Sequence, residues 1–183
     1  SDNGSPKQAD RNLPLRGHKL TPYEGGTRVP FIVKWPGVVT PGSLCHTPIL
    51  IEDIFPTFLE FAGTPHPDGI VQAVDGVSFV PLLRGVPPPT APRDLIWHFP
   101  HTYDQPPFSA IRRGPWKLIY HHLDRRQELF HLDNDLSETT DLAAQEPDIR
   151  RELAEHLARE LRTRGALMPL DNRTGEPVPL PAP

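Results

Sequence analysis

The sequence predicts an α/β fold whose last part is a small antiparallel sheet closed by one long helix. Three observations carry that expectation. Residues 29–35 read as a strand and residues 51–62 as a helix, with Ile54, Phe58 and Phe61 marking an apolar stripe. The triple proline Pro87-Pro88-Pro89 belongs to neither neighbouring element and marks an internal boundary. Beyond it come short alternating runs, and then Ile149, Leu153, Leu157 and Leu161 recur every four residues. The expected division is residues 1–88, a sheet-and-helix subdomain over 89–165, and a proline-rich tail over 166–183.

Taken in order, residues 1–28 are irregular. Asp2, Asn3 and Gly4 suit a turn. If a buried strand ends just before Ser1, the Asp2 and Asn3 side chains stand at its carboxyl end, where open α/β sheets place their ligands. Two adjacent oxygen-bearing side chains on a glycine turn can hold a hard cation, calcium or magnesium. Lys19 can neutralise an anion. Spacing alone equally allows an ordinary turn and a solvated His18-Lys19 pair. Glu24-Gly25-Gly26 reads as a tight turn. In the strand over 29–35, Phe31, Val33 and Trp35 share one face, and Pro36-Gly37 ends it. Gly63 closes the helix, and Pro56 near its first turn costs little. Ser78 caps a short helix over 79–83, which Gly85 ends.

The β region opens with a short strand over 95–99, and His98 and His101 flank Pro100 at its exit. Residues 108–113 and 116–121 form a hairpin across Gly114-Pro115: glycine supplies the positive φ of a II′ turn and proline the negative φ that follows. Trp116, Leu118 and Tyr120 alternate with Lys117, Ile119 and His121, the pattern of a half-buried strand. A third run covers 128–132. Pro147 opens the last helix, Glu155 and Arg159 pair on its wet side, and Gly165 ends it. The tail is expected extended on the surface or disordered.

Composition excludes several classes. At 183 residues and 37% hydrophobic, the chain has ample material for a core. A net charge of −4 is too small for a nucleic-acid or membrane-surface reading, and no membrane span is legible. The 25 prolines force much of the backbone into loops and edges. A single cysteine, Cys45, rules out an internal disulfide framework or a cysteine-rich zinc site and reads as a small packed side chain.

The motifs SDNG and RGHKLTPYEGGTRVPFIVKWPG closely resemble the carboxyl-terminal half of the formylglycine-dependent sulfatases, the arylsulfatase-like branch of the alkaline phosphatase superfamily. EDIFPTFLEFAG, VDGVSFVPLLRG, DLIWHFPH, SAIRRGPWKLIY and ELFHLDNDLSETTDLA continue the resemblance, in family order, to about residue 165. It implies the carboxyl-terminal part of an alkaline phosphatase-like sulfatase fold. It also implies roles that spacing does not give: Asp2 and Asn3 as two ligands of a divalent cation, usually Ca2+, and Lys19 as a catalytic contact to the substrate sulfate. The region of His98 and His101 is implied to approach the substrate. His18 stands where glycine is common, Leu20 where a small residue is common, and Asp141 where asparagine is frequent.

The family's nucleophile is a formylglycine made from C/S-x-P/A-x-R, and no such motif occurs here. Cys45 precedes His46-Thr47-Pro48 and is rejected for that role. The expectation is therefore a fragment of a sulfate ester hydrolase acting on a sulfated small molecule or carbohydrate. It would be inactive alone and completed by an amino-terminal part of the same protein that brings the formylglycine. The family resemblance implies a periplasmic or secreted parent. The alternatives are a phosphate or phosphonate ester hydrolase of the same superfamily and a non-catalytic binding or structural module.

Overall fold

The computed structural model describes residues 3–7, 12–64, 70–88 and 93–182. They form two compact units. One joins residues 3–29 to everything from residue 93 onward, and the other comprises residues 30–88.

The first unit is built on a four-stranded antiparallel sheet in simple chain order: β1 (Asp94–Phe99), β2 (Phe108–Arg113), β3 (Trp116–His121) and β4 (Gln127–His131). The β2–β3 hairpin pairs Arg113 with Trp116 across the expected two-residue loop, with Gly114 at φ 58°. Helix α4 (Pro147–Thr163) crosses one face of the sheet. There Leu153, Ala154, Leu157 and Leu161 pack against Ile111, Leu118, Tyr120 and Leu129, all fully or almost fully buried. The opposite face carries Phe108, Ala110, Ile119, Phe130 and Leu132, joined by Trp97, Phe99 and Tyr23.

That second layer departs from the sequence reading. β3 was expected half-buried, yet Lys117 and Ile119 are as inaccessible as Leu118. Alternation fails as a guide because the loop over residues 12–29 covers the face that would otherwise be wet. The same fact draws the units differently from a break after Pro88: Tyr23 and the short helix α1 (Glu24–Thr27) pack on the carboxyl-terminal sheet. The tail is tied down. Leu170 bridges Pro177, Tyr120 Oη donates to the Pro179 carbonyl at 2.9 Å, and Gln127 Nε2 donates to the Ala182 carbonyl at 2.8 Å.

The second unit contains a 3-10 turn (Ile51–Asp53), α2 (Ile54–Phe61) and α3 (Val80–Leu83). Its polar core is Asp53 and Thr57, both buried. The Asp53 carboxylate accepts the Leu50 and Val77 N–H groups at 2.8 Å each, and Thr57 Oγ1 accepts the Phe79 N–H at 3.1 Å. Two expectations change here. No strand forms over residues 29–35, because residues 30–34 find no backbone hydrogen-bond partner among the described residues. The apolar stripe of α2 is only partly covered: Phe61 meets the Trp35 ring edge-on at 4.7 Å, yet Phe58 is 62% and Phe61 43% exposed, with Phe31 and Ile32 also largely open to solvent.

Candidate functional site

Asp2 lies outside the described residues, so the proposed cation ligands are represented by Asn3 alone. Asn3 is half-buried, and the chain directly after it is pinned. The Gly4 N–H donates to the Gly26 carbonyl at 3.1 Å, and the Ser5 carbonyl accepts the Lys19 N–H at 2.9 Å. Two segments far apart in sequence thus run side by side, with Asn3 near one end and Lys19 near the other. The contact is so close that a Cβ on Gly4 would collide with the Gly25 carbonyl oxygen, and one on Gly26 with the Thr21 carbonyl oxygen. The Lys19 side chain is exposed and makes no ion pair among the described residues.

Asn12 organises the loop. Its Oδ1 accepts the Ser5 N–H at 3.2 Å, while Nδ2 donates to the carbonyls of Gly17 at 3.1 Å and Gly25 at 2.8 Å. Thr21 Oγ1 bridges the His18 backbone, and His18 Nδ1 sits 2.9 Å from the Lys19 carbonyl.

The residue after Lys19 is strained. Leu20 has φ 76°, a left-handed conformation that crowds an L side chain. Leu20→Gly is expected to raise stability by about 0.5–1 kcal/mol, the relieved strain exceeding the extra unfolded-state freedom. A urea-denaturation midpoint checks this; an unchanged or lower midpoint contradicts it.

Beneath the loop lies a buried charge cluster. Lys117 Nζ is 2.9 Å from Glu24 Oε1 and 3.0 Å from Glu138 Oε1, and none of the three side chains reaches solvent appreciably. Glu138 Oε2 also accepts the Glu24 N–H at 2.6 Å. Arg28 and Arg112 approach the second Glu24 oxygen at 3.4 and 3.8 Å. Burial pushes the Glu138 carboxyl above the ordinary carboxylate range. Burial pushes Glu24 the same way, but Lys117, Arg112 and Arg28 outweigh it and hold that carboxyl low. Glu138 itself sits at φ 52°.

A second ionic group flanks the first. Glu128 receives Tyr23 Oη at 2.8 Å, His121 Nε2 at 2.6 Å and Arg126 Nη1 at 2.8 Å. Burial alone would raise the Glu128 carboxyl, but these three donors bring it down to about 2. Burial and the adjacent carboxylate push the Tyr23 hydroxyl up to about 12. The Arg16 guanidinium lies 3.8 Å over the Tyr23 ring and donates to the Glu138 carbonyl at 2.9 Å.

His98 and His101 are placed differently from each other. His101 is exposed, edge-on to Phe99. His98 is engaged at both ring nitrogens, with Nδ1 2.8 Å from Ser109 Oγ and Nε2 3.0 Å from the Leu167 carbonyl. The chain continues inward, since Ser109 Oγ is 2.8 Å from His122 Nε2. A carbonyl only accepts, so the neutral His98 donates from Nε2 and accepts the Ser109 hydroxyl at Nδ1. Ser109 then accepts the His122 Nε2–H. This leaves the buried His122 Nδ1 as a bare lone pair without a partner among the described residues. Burial accordingly lowers His122 to about 4, helped by the neighbouring His98 and His121.

The sequence reading named Asn3, Lys19, His98 and His101 but not Asn12, Lys117, Glu138, Ser109 or His122. One signal was available: a lysine inside the otherwise apolar run over residues 116–120 needs a buried carboxylate, and Glu24 beside Gly25-Gly26 was at hand. Among the described residues no group of three or more His, Cys, Asp and Glu side chains forms a cation site. Asn3 offers one amide oxygen on a rigid turn, which fits part of an oxygen shell and not the whole of one.

Comparison with known proteins is consistent along the chain. The family model described as N-sulphoglucosamine sulphohydrolase, C-terminal, matches residues 18–164. A sulfatase of Formosa agariphila is 42% identical over 156 residues, covering 80% of this chain and 28% of that protein. A choline-sulfatase of Rhizobium meliloti is 38% identical over 125 residues, covering 68% and 23%. Among solved structures, Ps i-CgsB superposes with a TM-score of 0.72 at 27% identity, covering 91% of this chain and 35% of the other. The chain thus spans about a quarter to a third of the length of these relatives.

Proposed function

Because this chain belongs to the sulfatases and has the fold of the carboxyl-terminal part of their alkaline phosphatase-like domain, we propose that it forms part of the sulfate-binding side of a sulfate ester hydrolase. The observation that carries this reading is the pairing of the Asn3–Ser5 segment with the Lys19 backbone through the Gly26 and Ser5 carbonyls. It runs the segment that carries the Asn3 amide beside the segment that carries the Lys19 ammonium.

In the proposed reaction Lys19 offsets charge on the nonbridging oxygens of the ester, which lowers repulsion toward an incoming nucleophile. Asp2 and Asn3 would hold a divalent cation, expected to be Ca2+, which supplies further charge neutralisation when bound. The exposed His101 is proposed to face the substrate, with His98, held at both ring nitrogens by Ser109 and the Leu167 carbonyl, fixing the strand exit from which it projects. The formylglycine nucleophile belongs to the amino-terminal part of the parent protein. A sulfated carbohydrate is the proposed substrate. The Ps i-CgsB structure was also determined in complex with k-i-k-neocarrahexaose, at the same 27% identity to this chain. A periplasmic or secreted location belongs to the same proposal, on the family resemblance. Among the described residues no helix is long and apolar enough to cross a membrane.

Sulfate release from sulfated oligosaccharides, followed by ion chromatography, tests the reading. The parent protein is expected to release sulfate and its Lys19→Ala variant to lose most of kcat/KM, whereas the isolated chain gives no turnover. A Lys19→Ala parent as active as the wild type, or hydrolysis by the isolated chain, would overturn it.

A further inference from the structure

Both halves of the proposed site hang on the Gly25-Gly26 turn. Gly26 accepts the Gly4 N–H, Gly25 accepts Asn12, and the Gly25 N–H donates to Arg16 at 2.7 Å. The turn in turn begins at Glu24, whose N–H and carboxylate are both held from below, the first by Glu138 and the second by Lys117. Lys117 is the second residue of β3, placed in the sheet between Arg112 and Phe130 of the flanking strands, and its side chain is 0% exposed. It joins two short pieces of chain, the four-residue helix α1 and the turn that closes at Glu138. A lysine buried with two carboxylates adds little stability over an apolar side chain of similar volume, so its value must be sought in what it fixes. Glu138 supplies an independent sign: it is held at φ 52°, a strain that persists only where its surroundings dictate the placement.

We propose that Lys117 is a positioning residue for the sulfate-binding turn: by clamping Glu24 against Glu138 it sets where Gly25-Gly26 sits, and through them the spacing of Asn3 and Lys19. The proposal rests on the function given above but has a test that is independent of it. Arg16 and Tyr23 also anchor this loop, but at the Glu138 carbonyl and at Glu128, and so constrain its flanks and not the turn.

Hydrogen exchange on the 183-residue chain, read by NMR, is the first measurement. In Lys117→Met the Gly4 and Lys19 amides should lose about 10–100-fold in protection beyond any change shared by the Leu118 and Leu129 amides, because the opening is local. A uniform loss, or none, overturns the proposal. Glu138→Gln keeps an acceptor for the Glu24 N–H while removing the charge. Should Lys117→Met not fold, Glu138→Gln must show the same pattern, and a uniform response again overturns it. In the parent enzyme, Lys117→Met should lower kcat/KM for a sulfate ester about 10-fold, but change little once Lys19→Ala is present, since coupled residues do not add. Additive losses reject the positioning role even where the exchange pattern holds. A Lys19→Ala variant that leaves turnover intact rejects the sulfatase reading instead, whatever the amides show.

Discussion

Leu157→Ala will cost the sheet-and-helix unit about 2–5 kcal/mol, because a buried leucine loses its transfer energy and leaves a cavity that neighbours fill only in part. Leu157 is 0% exposed and sits among Ile111, Leu118 and Leu129 on the covered face of the sheet. Collapse around it is limited by two rigid walls, a regular helix and a four-stranded ladder, so the loss should lie in the upper half of that range. A domain's whole stability is about 5–15 kcal/mol, so the variant is expected to unfold at a markedly lower urea concentration. Glu155→Ala, on the exposed side of the same helix, is the control and should move the midpoint by less than about 0.5 kcal/mol. Equal midpoints for the two variants would mean that α4 does not close the core as described.

Acidification from pH 7 to 4 is the second large effect. His122 is lowered to about 4 by burial, and by His98 and His121, against an ordinary value of 6.5. Between those two values the unfolded chain binds a proton that the folded chain refuses. Stability is therefore fully present above about 6.5 and is lost as pH falls toward 4. At about 1.4 kcal/mol per unit, this one ring accounts for roughly 2–3 kcal/mol of loss. Its surroundings explain the refusal: Ser109 Oγ already takes the Nε2 proton, and a second proton on Nδ1 would have no acceptor. Glu128 acts lower, from the ordinary 4.5 down to about 2, where its donors His121, Arg126 and Tyr23 lose their partner. Stability of the wild type and of His122→Asn, measured by urea titration at pH 7, 5.5 and 4, separates the two. The variant should be less stable at pH 7 yet decline less between 7 and 4. A parallel decline would clear His122 of the effect.

The sheet was legible because its signals are local. Gly114-Pro115 fixed the hairpin register, and the four-residue recurrence from Ile149 to Leu161 fixed α4. What escaped was everything decided by a distant cover. Lys117 was assigned to solvent because its own strand alternates, and only the loop over residues 12–29 makes it interior. Conversely, residues 29–35 carry the chemistry of a strand but pair with no other strand among the described residues, and the stripe of α2 stays largely open although Trp35 meets Phe61 edge-on. At the candidate site, Lys19 and Asn3 were visible through family motifs. The groups that hold them, Asn12 and the clamp on Glu24, were not, because their partners lie 5 to 114 residues away.

The meander order of the sheet has a temporal consequence. Each strand pairs with its neighbour in sequence, so the ladder forms from short-range contacts and should assemble quickly. The turn bearing Lys19 has the opposite character: its clamp needs Lys117, 93 residues on, and Glu138, 114 residues on. A ribosome delivers this turn before its anchors. The segment proposed to meet the anion therefore takes its final shape only once the strand and turn that hold it have been made.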